Sequence, residues 1–222
     1  MSVRLCEVRH PLALDALASL RDRRTPAPVF AHALDRLGRV LAVTALMDLP
    51  LVSAAVQTPL APAEVQRVAW DALVLVPVLR AGLGFVDAFR AFVPTARVAM
   101  VGVARDPQAR AVPYLERVPE LAPGQRVVVL DPMLATGGSA CVALRAVAAR
   151  GARAEDVTLV VAIATASGIE AVGRVLPGVR LVVAAIDPIL DEHSYIVPGL
   201  GDAGDRLFGD WVPQDDREAV RG

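Results

Sequence analysis

Residues 127–139 read Val-Val-Val-Leu-Asp-Pro-Met-Leu-Ala-Thr-Gly-Gly-Ser, and they hold the side chains of this chain best suited to chemistry. Val127 to Leu130 reads as a buried strand, and Asp131 stands at its carboxyl end. Pro132, Met133, Leu134 and Ala135 lead into a Thr136-Gly137-Gly138-Ser139 turn, after which an Ala-rich segment has helical character. The two glycines allow positive φ and let backbone amides approach a ligand without interference from a Cβ. Those amides, the helix N-terminus and the hydroxyls of Thr136 and Ser139 make a ready anion site. A phosphate cradle beside a carboxylate suits a phosphorylated sugar, because the acid can accept hydrogen bonds from ribose hydroxyls. An ordinary strand, Gly-Gly turn and helix is the alternative that the bare pattern leaves open.

The elements around this stretch form a regular alternation. In residues 28–46 the apolar positions Phe30, Leu34, Leu37, Leu41 and Ala45 recur every three to four residues, which predicts an amphipathic helix. Short apolar runs at 72–78, 98–103, 127–130, 157–164 and 181–186 read as strands, with helix-like segments at 82–92, 139–149 and 168–176 between them. Continuous apolar strands alternating with helices imply an α/β fold, a parallel sheet of about five strands covered on both faces. Ligands of such sheets bind at the carboxyl ends of the strands. Arg80, Arg105 and Asp131 all fall at such ends. Residues 105–116 read as a polar, strand-poor connection that could form a flap over the site. Residues 210–222 read as a solvated extension.

Composition excludes several classes. The chain has 222 residues, a hydrophobic fraction of 55% and a net charge of −1, enough for a sizeable core and without the basic balance of a nucleic-acid binder. All 23 basic residues are arginine, and neither lysine nor asparagine occurs, a bias that fits a GC-rich genome better than selection for phosphate binding. The longest mainly apolar run, residues 159–166, is too short to span a bilayer, and Arg4, Glu7 and Arg9 near the start do not suit a signal peptide. A soluble, cytoplasmic protein is expected. Cys6 and Cys141 offer neither a disulfide framework nor metal-ligand spacing, and Cys141 reads as a buried, inert thiol. None of the three histidines has a partner at metal-ligand or triad spacing, and His10 reads as structural.

The wording of residues 131–139 resembles the phosphoribosyl-diphosphate loop of the type I phosphoribosyltransferases, in the form found in the uracil subfamily. Leu79-Arg80-Ala81-Gly82-Leu83-Gly84 resembles that family's first arginine loop. Residues 195–206, Tyr-Ile-Val-Pro-Gly-Leu-Gly-Asp-Ala-Gly-Asp-Arg, resemble its C-terminal uracil-binding segment. The likeness runs from about His10 to Gly209. It implies a type I phosphoribosyltransferase fold in one domain, residues 1–209, with a small C-terminal hood made mainly by residues 190–209. It also implies transfer of ribose 5-phosphate from phosphoribosyl diphosphate to uracil, giving UMP and diphosphate. On this reading Pro132, Met133, Leu134, Ala135, Thr136, Gly137, Gly138 and Ser139 bind phosphoribosyl diphosphate, with Asp131 on the ribose. Arg80 and Arg105 face the diphosphate, where a guanidinium fork can hold two oxygens, with Arg110 an alternative that could share the role of Arg105. Ile196, Gly201 and Ala203 contact uracil. Asp202 contacts phosphoribosyl diphosphate and holds Mg²⁺, the implied cofactor. Catalysis is carried by Asp202, Arg105 and Asp131, while Asp205 and Arg206 are read as a structural pair. A homodimer or higher homo-oligomer and a GTP effector are the further partners implied; neither nucleic acid nor membrane is.

The chain departs from the family wording in places. Tyr-Glu-Ala-Thr-Arg-Asp-Leu is replaced by Val43-Thr44-Ala45-Leu46-Met47-Asp48-Leu49, which puts dimer geometry and nucleotide activation in doubt. Ala-Pro-Glu-Gly becomes Thr165-Ala166-Ser167-Gly168, and Leu-Asn-Glu-x-Gly becomes Leu190-Asp191-Glu192-His193-Ser194. The connection after Arg105 is one residue short. These changes leave open a divergent paralogue with altered base choice or weak activity. A nucleotide-sensing regulator is a further alternative, disfavoured by the near-neutral charge.

Overall fold

The alternation of buried strands and helices is present in the computed structural model, which describes residues 3–69, 72–106 and 110–209. From the N-terminus come β1 (Arg4–Glu7), α1 (Pro11–Arg21), α2 (Ala27–Ala45) and a hairpin of β2 (Leu51–Gln57) and β3 (Pro62–Val68). The middle of the chain gives β4 (Leu73–Leu79), α3 (Leu83–Arg90), β5 (Arg97–Val98), β6 (Met100–Arg105), β7 (Ala111–Arg117), β8 (Arg126–Leu130), β9 (Met133–Leu134) and α4 (Gly138–Ala149). Then follow β10 (Val157–Thr165), α5 (Ala166–Val175), β11 (Arg180–Asp187), a hairpin of β12 (Ile189–Leu190) and β13 (Ile196–Val197), and α6 (Ala203–Phe208).

The main sheet runs β1-β11-β10-β8-β4-β6-β7, parallel throughout except for β7, which is antiparallel to β6. Its strands are apolar without alternation because both faces are covered. Leu75, Val128, Leu130, Val160 and Val182 pack on one face with Leu17, Leu34, Phe85 and Phe89 of α1–α3. Their sequence neighbours Val74, Val127, Val129, Val161 and Leu181 pack on the other face with Ala143, Leu144 and Val172 of α4 and α5. Every residue of β10 is buried. The expected face of α2 is the observed one: Phe30, Leu34, Leu37, Leu41 and Ala45 are all buried. His10 caps α1, its Nδ1 accepting the Leu12 N–H at 3.2 Å, so its role is structural as read. No described helix is long and apolar enough to cross a membrane.

The core strands fall within two residues of the expected bounds, with one break: 98–103 becomes two pieces, β5 and β6, both on β4. Several elements near the N-terminus lie outside the expected alternation. The edge strand β1 sets Leu5 and Cys6 between Arg4 and Glu7, α1 buries a stripe of two alanines and two leucines (Ala13, Ala16, Leu17 and Leu20), and β2 and β3 contain no buried residue. A further element corrects the expected strand-poor flap. Residues 111–117 form strand β7, in which Pro113 is tolerated because its strand lies at the sheet edge, opposite a register irregularity at Gly102/Val103. Residues 107–109 and 210–222, including the expected C-terminal extension, lie outside the described residues.

Candidate active site

The parallel strands bring the carboxyl ends of β4, β6, β8, β10 and β11 to one edge of the sheet, and the residues singled out in the sequence gather there. Gly137 has φ +83 and caps α4, so the chain turns sharply and aims the first amides of a 12-residue helix at a small cavity. Met133, Thr136, Gly138 and Ser139 line that cavity, together with Ala111 of β7. The loop is buttressed from β10: the Thr165 hydroxyl donates to Ala135 O at 2.6 Å and accepts the Gly168 N–H at 3.1 Å, capping α5. Thr165 is thus a positioning residue that sequence reading missed. The replaced Thr-Ala-Ser-Gly wording was its only signal.

Asp131 follows β8 directly and is 7% exposed. Burial pushes its carboxyl up to about 7, opposed in part by the hydrogen bond it accepts from the Met133 N–H. Arg80 follows β4, and Gly82 locks its turn against the end of β8. A Cβ at Gly82 would lie 2.2 Å from Leu130 O, so only glycine lets the two loops meet at this distance. The Arg80 Nη2 is 3.1 Å from an oxygen of Asp205, and its guanidinium lies 5.6 Å from the Phe208 ring centre. The expected Asp205–Arg206 pair is therefore wrong. Asp205 faces Arg80, whereas Arg206 is buried and donates to the carbonyls of Leu20, Leu200 (2.9 Å) and Asp22 (2.6 Å) while stacking 4.4 Å above Phe30. Helical periodicity turns successive side chains of α6 in different directions, which separates these neighbours. Arg105 ends β6, at the same edge of the sheet; its side chain lies outside the described part of the structure.

Residues 196–203 form the other wall. Gly199 has φ +56 and Gly201 φ +77, and a Cβ at Gly199 would fall 2.0 Å from Ile196 O. The loop is pinned by a network absent from the sequence reading. Arg21 makes two 2.7 Å bonds to Asp187 and one of 2.8 Å to Gly199 O, and Asp187 accepts the Gly199 N–H at 2.8 Å. Burial alone would raise the Asp187 carboxyl, but the Arg21 guanidinium and the Gly199 amide outweigh it and hold the group below its ordinary value. Asp202 caps α6, one carboxylate oxygen accepting the Asp205 N–H at 2.9 Å. Ile196 and Ala203 are buried, and with Gly201, Met133, Asp131 and Asp202 they enclose a second cavity. A third adjoins it along Arg80, Ala81, Val103 and Ala104 and shares Asp131, Ser139, Tyr195 and Asp202 with it. Cradle, acid and C-terminal loop therefore face one continuous cleft. Cys141 of α4 is buried in the core, and burial raises its thiol, as expected of an inert residue.

The sequence profile described as uracil phosphoribosyltransferase matches residues 7–210. The uracil phosphoribosyltransferase of Thermoanaerobacter sp. (strain X514) is 43% identical over 203 residues, 91% of this chain and 96% of that protein. That of Streptomyces avermitilis is 44% identical over 210 residues, 93% and 99% of the two chains. Among solved structures, the AQ2163 protein from Aquifex aeolicus matches with a TM-score of 0.88 at 36% identity, covering 94% of this chain and 100% of its own.

Proposed function

The chain belongs to the uracil phosphoribosyltransferase family, and from that premise we propose that it makes UMP and diphosphate from uracil and phosphoribosyl diphosphate. The observation that carries this reading is the cleft in which an anion cradle and a main-chain-rich loop meet: Met133, Ala135 and Ser139 line both the cradle and the cavity walled by Ile196, Gly201, Asp202 and Ala203. In the reaction the bond from the anomeric carbon to diphosphate breaks, a bond to N1 of uracil forms, and the N1 proton is released. A developing oxocarbenium ion needs no protein nucleophile; it needs the two substrates held in line and the departing charge neutralised.

The amides of Thr136 to Ser139 and the two hydroxyls hold the 5-phosphate, and Asp131 accepts from the ribose. Arg80 and Arg105 hold the diphosphate. The Arg80–Asp205 pair is half exposed and such pairs contribute only about 0–1 kcal/mol, so Arg80 is poised and exchanges carboxylate for diphosphate at small cost. Ile196, Gly201 and Ala203 read uracil through the main chain: Gly201, at φ +77, stands outside regular structure, and Ile196 and Ala203 are the first residues of the strand and helix that flank its loop. Asp131 and Asp202 are hard oxygen donors on one cleft, and among the described residues no group of three or more acids, histidines or cysteines could chelate a metal alone. That donor set fits Mg²⁺ held mainly by diphosphate oxygens and water, with Asp202 as the protein contact, where it would neutralise the leaving group.

A homo-oligomer is part of the proposal. The β2–β3 hairpin has no buried residue, and an isolated two-stranded hairpin is marginal in water; its Leu51 and Val52 are exposed, as are Val43 and Met47 shortly before it in the chain. A second copy covering this surface would stabilise it. The test of function is product formation from phosphoribosyl diphosphate and Mg²⁺ with uracil, cytosine or hypoxanthine, with and without GTP. UMP from uracil alone is expected; turnover of hypoxanthine without uracil would overturn the reading.

A further inference from the structure

We propose that Ser194 is a specificity-determining residue of the base pocket, its hydroxyl adding a side-chain contact to a base otherwise read by main chain. The inference rests on the uracil reading above and concerns a position where the sequence carries an unfavourable residue. The β12–β13 hairpin pairs Leu190 with Ile196, and its loop is tightly organised. The Asp191 N–H donates to Tyr195 O at 2.9 Å, the Ser194 N–H donates to Asp191 O at 3.0 Å, and the Asp191 carboxylate accepts the amides of His193 and Tyr195. In a three-residue hairpin loop built on a type I turn, the residue that closes the turn is left-handed. Ser194 is that residue, at φ +66.

Glycine adopts that conformation without penalty and a Cβ makes it costly. Among the described residues seven glycines have positive φ, and Ser194 is the one non-glycine that does. The chain therefore uses glycine for this conformation everywhere else described, and keeps a side chain only here. Ser194 stands at the cleft. Ser194 lines the cavity with Met133, Ile196, Gly201 and Ala203, the base end, and is not among the residues lining the diphosphate end. Among the described residues its hydroxyl makes no hydrogen bond, which leaves a donor and an acceptor for a ligand carbonyl or ring N–H. A left-handed serine facing a binding cavity is the kind of local cost that persists where function requires it.

The experiment compares Ser194→Gly and Ser194→Ala with the parent. Glycine relieves the backbone and removes the hydroxyl; alanine removes only the hydroxyl. Loss of one neutral hydrogen bond corresponds to an about fivefold rise in KM for uracil, expected in both variants, with KM for phosphoribosyl diphosphate and kcat within about twofold. The glycine variant is also expected to melt at a higher temperature than the parent. A merely structural serine would give that thermal gain with uracil KM unchanged, and this result would overturn the proposal. Equilibrium titration with UMP separates the two claims. A parent that fails to turn over uracil refutes the enzymatic reading, while weaker UMP binding by both variants still supports Ser194 and unchanged binding refutes it.

Discussion

Replacing Asp131 by asparagine tests the electrostatics of the cleft through stability alone. Asparagine keeps the size and can still accept the Met133 N–H, so the change removes ionisation and little else. Burial raises the Asp131 carboxyl from 3.8 to about 7 in the folded protein. Between those values the unfolded chain has lost the proton and the native chain still holds it, so native stability falls as pH rises and stops falling above about pH 7. The slope is about 1.4 kcal/mol per pH unit and fades as pH nears the folded value, so the parent loses about 2–3 kcal/mol from this group between pH 5 and pH 7. The Asp131→Asn variant makes no such contribution. Urea unfolding of both proteins across this range is expected to give a stability difference, variant minus parent, that grows by about 2–3 kcal/mol and then levels off. Because other titrating groups are common to both proteins, they cancel in the difference. A difference that stays flat from pH 5 to pH 8 would refute the claim that Asp131 is held proton-bound by burial. The variant should also bind phosphoribosyl diphosphate more weakly above pH 7, where the parent offers a carboxylate to the ribose hydroxyls.

Three further outcomes follow from the geometry. Asp187→Asn breaks the double bond to Arg21 and weakens the anchor of Gly199, at a cost of about 3 kcal/mol near neutral pH; because the Asp187 carboxyl is held below its ordinary value, the pair's stabilisation is present above the unfolded value and lost in acid, so parent and variant converge as pH falls. Gly199→Ala puts a Cβ 2.0 Å from Ile196 O at φ +56, and steady-state kinetics should give an at least about tenfold rise in uracil KM from the displaced loop, with a smaller change for phosphoribosyl diphosphate. Arg80→Gln removes a charge-assisted fork and should raise KM for phosphoribosyl diphosphate by about tenfold or more, while thermal stability changes little because the Asp205 pair it breaks is half exposed.

Much of the site is legible in the sequence because its residues carry their chemistry locally. Asp131, the Gly137-Gly138 turn and the glycines of 199–201 announce themselves by type and spacing, and the apolar runs fix the strands whose ends deliver them. What the sequence withholds depends on distant partners. Nothing near Arg21 in the chain points to Asp187, 166 positions away, and Arg206 looks like the partner of adjacent Asp205 until the helix turns the two apart. The flap misleads because Pro113 and the polar residues around it suppress strand signals that an edge strand does not need. Ser194 looks like one substitution among several, and only its backbone angle and the cavity it faces distinguish it.

The central claim is that cradle and C-terminal loop act together on uracil and phosphoribosyl diphosphate. The measurement that tests it most directly is the rate of UMP formation from labelled uracil, phosphoribosyl diphosphate and Mg²⁺, made on the parent and on Asp202→Ala. Turnover in the parent that collapses in the variant, with the variant still folded, is the predicted result. A parent that forms no UMP, or a variant as active as the parent, would contradict the account.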